Sequence, residues 1–246
     1  MNDDFADRAV SPEEKRCYQR VDVAHELLKT AAFLVVVKPN HLSVGGGRGC
    51  QRYCLALNVG PLSGHRDYPE GMKTYVLAGG CFWCLDAAYR VLKGVHSVVS
   101  GYTGGQVDHP SYEQVCTGTT GHAEAVAITF DPDVIPSDVI LDAFFTMHDP
   151  RELNRQGNDV GTQYRSAMFY GSPEDKSLFE AARDRAGEMW GGDVVTEIVP
   201  LGTYYDAEEY HQDFFAKNPT QGYCLAVAVP KVSKIRASFA PYLESA

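Results

Sequence analysis

The sequence has no apolar run near the ~20 residues that a membrane-crossing helix requires. The longest candidate, Leu27 to Val37, is short and broken by Lys29. It also lacks any basic cluster, and its formal net charge of −10 is the opposite of a nucleic-acid footprint. The opening Met1-Asn2-Asp3-Asp4 lacks the positive charge of a secretory signal. No internal repeat and no low-complexity tract is present. These absences exclude neither an enzyme nor a binding module, and the expectation is a cytoplasmic protein acting on neither membrane nor nucleic acid. What is present is 246 residues, enough for one sizeable domain, and seven cysteines. An odd cysteine count without an export signal points to free, catalytic or metal-bound thiols rather than a disulfide framework.

The punctuation changes near Met72. Residues 1–71 have weak periodicity, with a helical pattern from Pro12 to Leu28, a strand candidate at Phe33–Val37 and the run Gly45-Gly46-Gly47. They are expected to be a poorly ordered extension, or translation from an upstream start that is not used, with residues 72–246 forming the catalytic domain. Cys50 and Cys54, with His41 and His65, have zinc-like spacing but no second paired ligand set. No metal is expected.

From Met72 onward the elements are regular. Tyr75–Ala78 reads as a buried strand bounded by Gly79-Gly80, and Phe82–Lys93 as a helix stopped by Gly94. Strands follow at Val95–Tyr102 and Glu124–Phe130, then a helix from a Ser137 cap to His148. Asp149–Gln163 is a polar loop, long enough to suggest a function. A strand at Tyr164–Tyr170 and a helix from Ser172-Pro173 to about Trp190 come next, then a strand at Val194–Leu201. Asp206-Ala207-Glu208-Glu209 reads as a further helix start. The order strand, helix, strand, strand, helix, strand predicts an α/β (α+β) protein. Its core would be a two-layer, ferredoxin-like split β-α-β sandwich with a long C-terminal coil.

Cys81 falls where a strand ends and a helix begins. Unpaired amide donors and the dipole at a helix start favour thiolate over thiol, which suits a nucleophile. Against that stands the reading of Cys81 as a small buried hydrophobe. The adjoining Phe82 and Trp83 favour the functional reading, since they can wall an apolar pocket beside the sulfur. Cys84 completes Cys81-x-x-Cys84 on one helix face, as in dithiol redox motifs.

Gly80-Cys81-Phe82-Trp83 resembles the signature of the peptide-methionine (S)-S-oxide reductase family, also called methionine sulfoxide reductase A. The resemblance continues through Gly101-Tyr102-Thr103-Gly104-Gly105, Pro110-Ser111-Tyr112 and Gly121-His122-Ala123-Glu124-Ala125-Val126. It extends through His148-Asp149-Pro150, Arg155-Gln156-Gly157-Asn158-Asp159 and Gly161-Thr162-Gln163-Tyr164-Arg165-Ser166, ending with His211-Gln212 and Gly222-Tyr223-Cys224. It spans about residues 73–225, in order.

The resemblance implies an oxidoreductase of protein repair under oxidative stress, with no bound cofactor. Cys81 would attack the sulfoxide sulfur, and Glu124 would act as the acid that protonates the oxygen. Tyr112 and Tyr164 would bind that oxygen, Asp159 would organise the surrounding hydrogen bonds, and Phe82 and Trp83 would hold the methyl group. Without the resemblance, Glu124 reads as a solvated strand-end residue, the tyrosines as core residues and Asp159 as part of a turn. Reduction would leave a sulfenic acid on Cys81, which Cys224 would resolve as a disulfide. No cysteine follows Cys224, so a thioredoxin-like dithiol would attack the Cys81–Cys224 disulfide directly.

Two departures stand out. Glycine often follows the tryptophan in relatives, where this chain has Cys84, either an alternative resolving thiol or a packing residue. Phe214 stands where relatives often carry tyrosine. Cys116 matches a cysteine of some relatives and is read as non-essential. Two rival functions remain in view: a general thiol-disulfide oxidoreductase using Cys81 and Cys84, and a module that binds methionine sulfoxide without turnover.

Overall fold

The computed structural model describes residues 71–243. The expectations for the preceding segment, including its helix, its strand and the Cys50–Cys54 pair, lie outside those residues. The elements are β1 (Lys73–Gly79), α1 (Phe82–Tyr89), β2 (Val95–Thr103), α2 (Tyr112–Cys116), β3 (Ala123–Phe130) and α3 (Ser137–Met147). After them come β4 (Arg155–Gln156), β5 (Asp159–Val160), β6 (Ser166–Tyr170), α4 (Pro173–Trp190), β7 (Glu197–Pro200) and β8 (Tyr205–Asp206). The chain closes with α5 (Phe214–Lys217), a π-helical turn (Cys224–Ala228) and α6 (Val229–Ser238).

One six-stranded sheet, ordered β7-β6-β1-β3-β2-β8, organises the protein. Its pairs are antiparallel except β6 with β7. The expected mixed α/β fold with a mostly antiparallel sheet is therefore present. β1 is central, and its alternation divides the two faces. Tyr75 and Leu77 enter the larger core shared with the helices, while Val76 and Ala78 face a smaller cluster with Ala123, Ala125, Ala127 and Tyr204. On that second face the alanines leave room for irregular chain rather than helices. Tyr204 lies over them and its hydroxyl donates to the carbonyls of Val99 at 2.6 Å and Ala125 at 3.1 Å.

Several element boundaries differ from expectation, each for a tertiary reason. α1 stops at Tyr89 rather than Lys93. Arg90 turns back to Asp86 and to the carbonyl of Val98, and the Lys93 amide donates to the Tyr242 carbonyl at 2.7 Å. Pro136, not Ser137, occupies the cap position of α3. The stretch from Asp206 to Glu209 does not open a long helix. Tyr205 and Asp206 pair with β2, and only a short turn (Glu209–His211) follows. The C-terminal coil ends near residue 221, and the chain is helical from 222 to 238. By contrast, α4 starts and stops as its residues direct. The Ser172 hydroxyl accepts from the Asp175 amide, and Gly191 ends the helix in the left-handed conformation.

Candidate active site

The centre of the site is the β1–α1 junction. Gly80 has φ +89°, and a Cβ there would meet the Gln156 side chain at 2.8 Å. Only glycine makes this turn without strain. Gln156 is itself fixed, accepting from the Asp149 amide and donating to the Asp149 carbonyl, both at 3.1 Å. The 149–163 loop is thereby tied against the nucleophile turn. Cys81 follows as the cap residue of α1, with extended backbone, and Phe82 is the first helical residue.

Glu124 is not a solvated strand-end residue. It lies on β3 opposite Tyr102 and is 1% exposed. Its Oε2 accepts from the Phe82 amide at 3.1 Å. That first helical donor, expected to support a Cys81 thiolate, is thus engaged by the glutamate instead. The expectation of a stabilised thiolate on Cys81 is corrected accordingly. Burial pushes the Cys81 thiol well up, and the hydrogen bond with Cys84 and the carboxyls of Glu124 and Asp159 act in the same direction.

Cys84 has the opposite balance. Its thiol is lowered to about 7, chiefly by the hydrogen bond from Cys81, against burial, with help from the positive charge of Lys231 and the Tyr223 hydroxyl. Across the pair the shifts run in opposite directions, Cys81 upward and Cys84 downward. The Tyr223 hydroxyl lies 3.7 Å from Cys84 Sγ and donates to Asp159 Oδ2 at 3.0 Å. Burial raises the Asp159 carboxyl, partly offset by Tyr223 and Lys231. Asp159 thus lies beside the thiol pair, bonded through the Tyr223 hydroxyl.

Aromatic rings enclose the other side. Phe82 and Trp83 are both buried, and Trp83 stacks on Phe214 with centroids 3.8 Å apart and planes 8° from parallel. Phe214 thus completes the wall with its ring. Tyr112 stacks on Phe82, and its ring is 4.4 Å from that of His211. The indole N–H of Trp83 donates to His211 Nδ1 at 3.1 Å. Burial lowers the His211 pKa to about 3, so the ring is neutral and can accept. Glu208 receives the Tyr112 amide at 2.9 Å and the Tyr102 hydroxyl at 2.8 Å, holding the start of α2 in place.

Tyr164 is buried at the end of a 3₁₀ turn (Thr162–Tyr164) that packs against β3, the strand carrying Glu124. Cys224 is buried in the π-helical turn, which packs against α1. Burial and the neighbouring Cys84 push its thiol up. Cys116 is half-buried at the end of α2. Among the described residues, Cys81, Cys84 and Cys224 are in no disulfide. No group of three or more His, Cys, Asp or Glu among them is placed to hold a metal ion. No helix among them is long and apolar enough to cross a membrane.

Sequence reasoning assigned no role to His211, Gln212, Tyr223 or Glu208. The first three did stand in the matching blocks His211-Gln212 and Gly222-Tyr223-Cys224. Only Glu208 carried no signal beyond its misread helix start.

Comparison with known proteins agrees with this layout. The family described as "Peptide methionine sulfoxide reductase" matches residues 73–242. A "Peptide methionine sulfoxide reductase MsrA" of Clavibacter michiganensis subsp. michiganensis is 68% identical over 175 residues, covering 71% of this chain and 100% of the relative. One from Thermus thermophilus is 50% identical over 171 residues, covering 70% and 96%. Among solved structures, Mxr1 from Saccharomyces cerevisiae in reduced form aligns with TM-score 0.62 at 36% identity, covering 65% of this chain and 92% of that one.

Proposed function

The chain belongs to the peptide methionine sulfoxide reductase family, and on that premise we propose how its residues divide the work of reducing methionine sulfoxide. The protein reduces methionine sulfoxide in proteins to methionine. Cys81 attacks the sulfoxide sulfur while Glu124 delivers a proton to the oxygen, with the Tyr112 and Tyr164 hydroxyls binding that oxygen. Asp159, through Tyr223, holds the thiol side of the pocket. Methionine leaves, and Cys81 keeps the oxygen as a sulfenic acid. A resolving thiol then releases water, and Cys224 ends in the disulfide presented to a thioredoxin-like dithiol. The reducing cytoplasm is the setting that fits free thiols.

The observation that carries this reading is the Phe82 amide held by Glu124 directly beside Cys81. This bond supports an acid reaching from β3 to the turn that carries the nucleophile, with the aromatic wall alongside. The S epimer is what the family resemblance implies, and magnitudes say which side of the pocket would discriminate it. Burying the substrate methyl against Phe82 and Trp83 stabilises by about 0.8 kcal/mol. Turning the oxygen into that wall would leave it unpaired, at a cost of about 1–3 kcal/mol. Discrimination for the S epimer therefore rests on the oxygen side, on Glu124 and the tyrosines. A general thiol-disulfide oxidoreductase would have no use for these groups, and a mere binding module none for the thiol cluster.

The test is methionine formation from each epimer of a methionine sulfoxide peptide in the presence of a dithiol. Turnover of the S epimer alone, falling to background in Cys81→Ser, is expected. Persistence of turnover in that variant would refute the role of Cys81.

A further inference from the structure

Cys84 differs from the other thiols in having neighbours on both sides. Three residues, ~4.5 Å of helical rise, separate it from Cys81, and its amide donates to the Cys81 carbonyl at 3.1 Å. That spacing lies within the ~4.4–6.8 Å Cα span that a disulfide bridges. The two side chains already share a hydrogen bond. On its other side, Cys84 Sγ lies 3.7 Å from the hydroxyl of Tyr223, the residue preceding Cys224. Burial and the neighbouring Cys84 raise the Cys224 thiol. A cysteine that only filled space would need none of these polar contacts.

We propose that Cys84 is the first resolving thiol, so that the disulfide forms between Cys81 and Cys84 and then passes to Cys84 and Cys224. The proposal rests on Cys81 being the nucleophile. In the first step the Cys84 sulfur displaces hydroxide from the Cys81 sulfenic acid; its proton leaves with that hydroxide as water, and the Cys81–Cys84 bond forms. In the second, the Cys224 thiolate attacks the Cys84 sulfur. The Cys84–Cys224 bond forms, the Cys81–Cys84 bond breaks, and Cys81 leaves as a thiolate that takes up the proton Cys224 gave up. An external dithiol then reduces Cys84–Cys224 and is itself oxidised to a disulfide. The π-helical turn carrying Cys224 suits the second step, because such turns are local interruptions of a helix and Leu225 beside it is 55% exposed.

The relay frees Cys81 before any reductant acts, which gives it a stoichiometric signature. Without reductant, the wild-type chain should form about two methionines per molecule, one leaving the Cys84–Cys224 disulfide and one leaving Cys81 as sulfenic acid. Cys84→Ser and Cys224→Ser should each stop at about one. Acid-quenched peptide mapping of Cys224→Ser should find Cys81 bonded to Cys84, with no dimedone-reactive sulfenic acid. A single methionine from the wild type with Cys81 bonded to Cys224, or a persistent sulfenic acid in Cys224→Ser, would overturn the relay while leaving Cys81 as nucleophile. Methionine formation that survives Cys81→Ser would instead remove the reading on which the relay stands.

Discussion

The two halves of the site are built by different means. Cys81 and Glu124 are placed by the sheet, one at the end of central β1 and the other on neighbouring β3, with backbone ladders on both sides. His211, Gln212, Tyr223 and Cys224 come from the chain after β7, where side chains do the holding. Gln212 accepts from the Ser100 amide at 2.9 Å and donates to the Ser100 carbonyl at 3.0 Å. Trp83 anchors His211, and Asp159 anchors Tyr223. The difference follows the chemistry. Oxygen transfer needs an acid and a nucleophile fixed to within tenths of an ångström, whereas disulfide exchange needs a thiol that can move.

The sharpest way to break this comparison is Cys224→Ser. Steady-state turnover with a thioredoxin-like reductant should fall to near background, while single-turnover methionine formation keeps the wild-type rate. A slower first turnover would show that the two halves are not separable. Next in size, Glu124→Gln should slow single-turnover reduction by roughly 10²-fold, since an amide is a poor proton donor. Its disulfide exchange, followed by reduction of the preformed disulfide, should be unchanged.

The third effect concerns the rigid half alone. His148 is buried behind β1, with Nδ1 donating to the Phe144 carbonyl and Nε2 accepting from the Ser166 hydroxyl, both at 2.8 Å. Burial lowers its pKa from 6.5 to about 4. A depressed histidine pKa means that the unfolded chain binds the proton first. The stability His148 contributes is complete above pH 6.5 and is lost as pH falls through about 4. That contribution is on the order of 3 kcal/mol. Urea unfolding at several pH values should show a shallower acid-side slope for His148→Gln than for wild type, and equal slopes would dismiss the assignment. The smallest change is Phe214→Tyr. Its ring should keep the stack on Trp83, altering KM by no more than a few-fold.

The sheet-borne half was largely legible in the sequence. Alternation marked β1 and β3, the Gly79-Gly80 pair marked the turn before Cys81, and Ser172-Pro173 marked α4. These signals are local, carried by period and by backbone-restricted residues. The C-terminal end of α1 and the fate of residues 206–209 were not legible. There the local signal for helix competes with bonds to partners distant in sequence, such as Tyr242 for Lys93 and Ser100 for Ala207. The buried state of Cys81 was hidden for the same reason, because the helix start was visible but the Glu124 that occupies it was not. The C-terminal helix was missed because its Val-Pro-Lys stretch reads as a breaker, yet Pro230 is accommodated directly after the π-helical turn, where the regular helical bonding is already interrupted.

The Gln212 bonds have a further consequence for the protein in a crowded cell. β2 lies near the rim of the sheet, and β8 covers it only at Gly101 and Tyr102. At Ser100 the amide and carbonyl would face outward as a template for a strand from another chain. The carboxamide of Gln212 occupies both, and the Ala207 amide also bonds the Ser100 carbonyl at 2.9 Å. One side chain thereby satisfies the backbone groups at Ser100 that a strand from another chain would otherwise pair with.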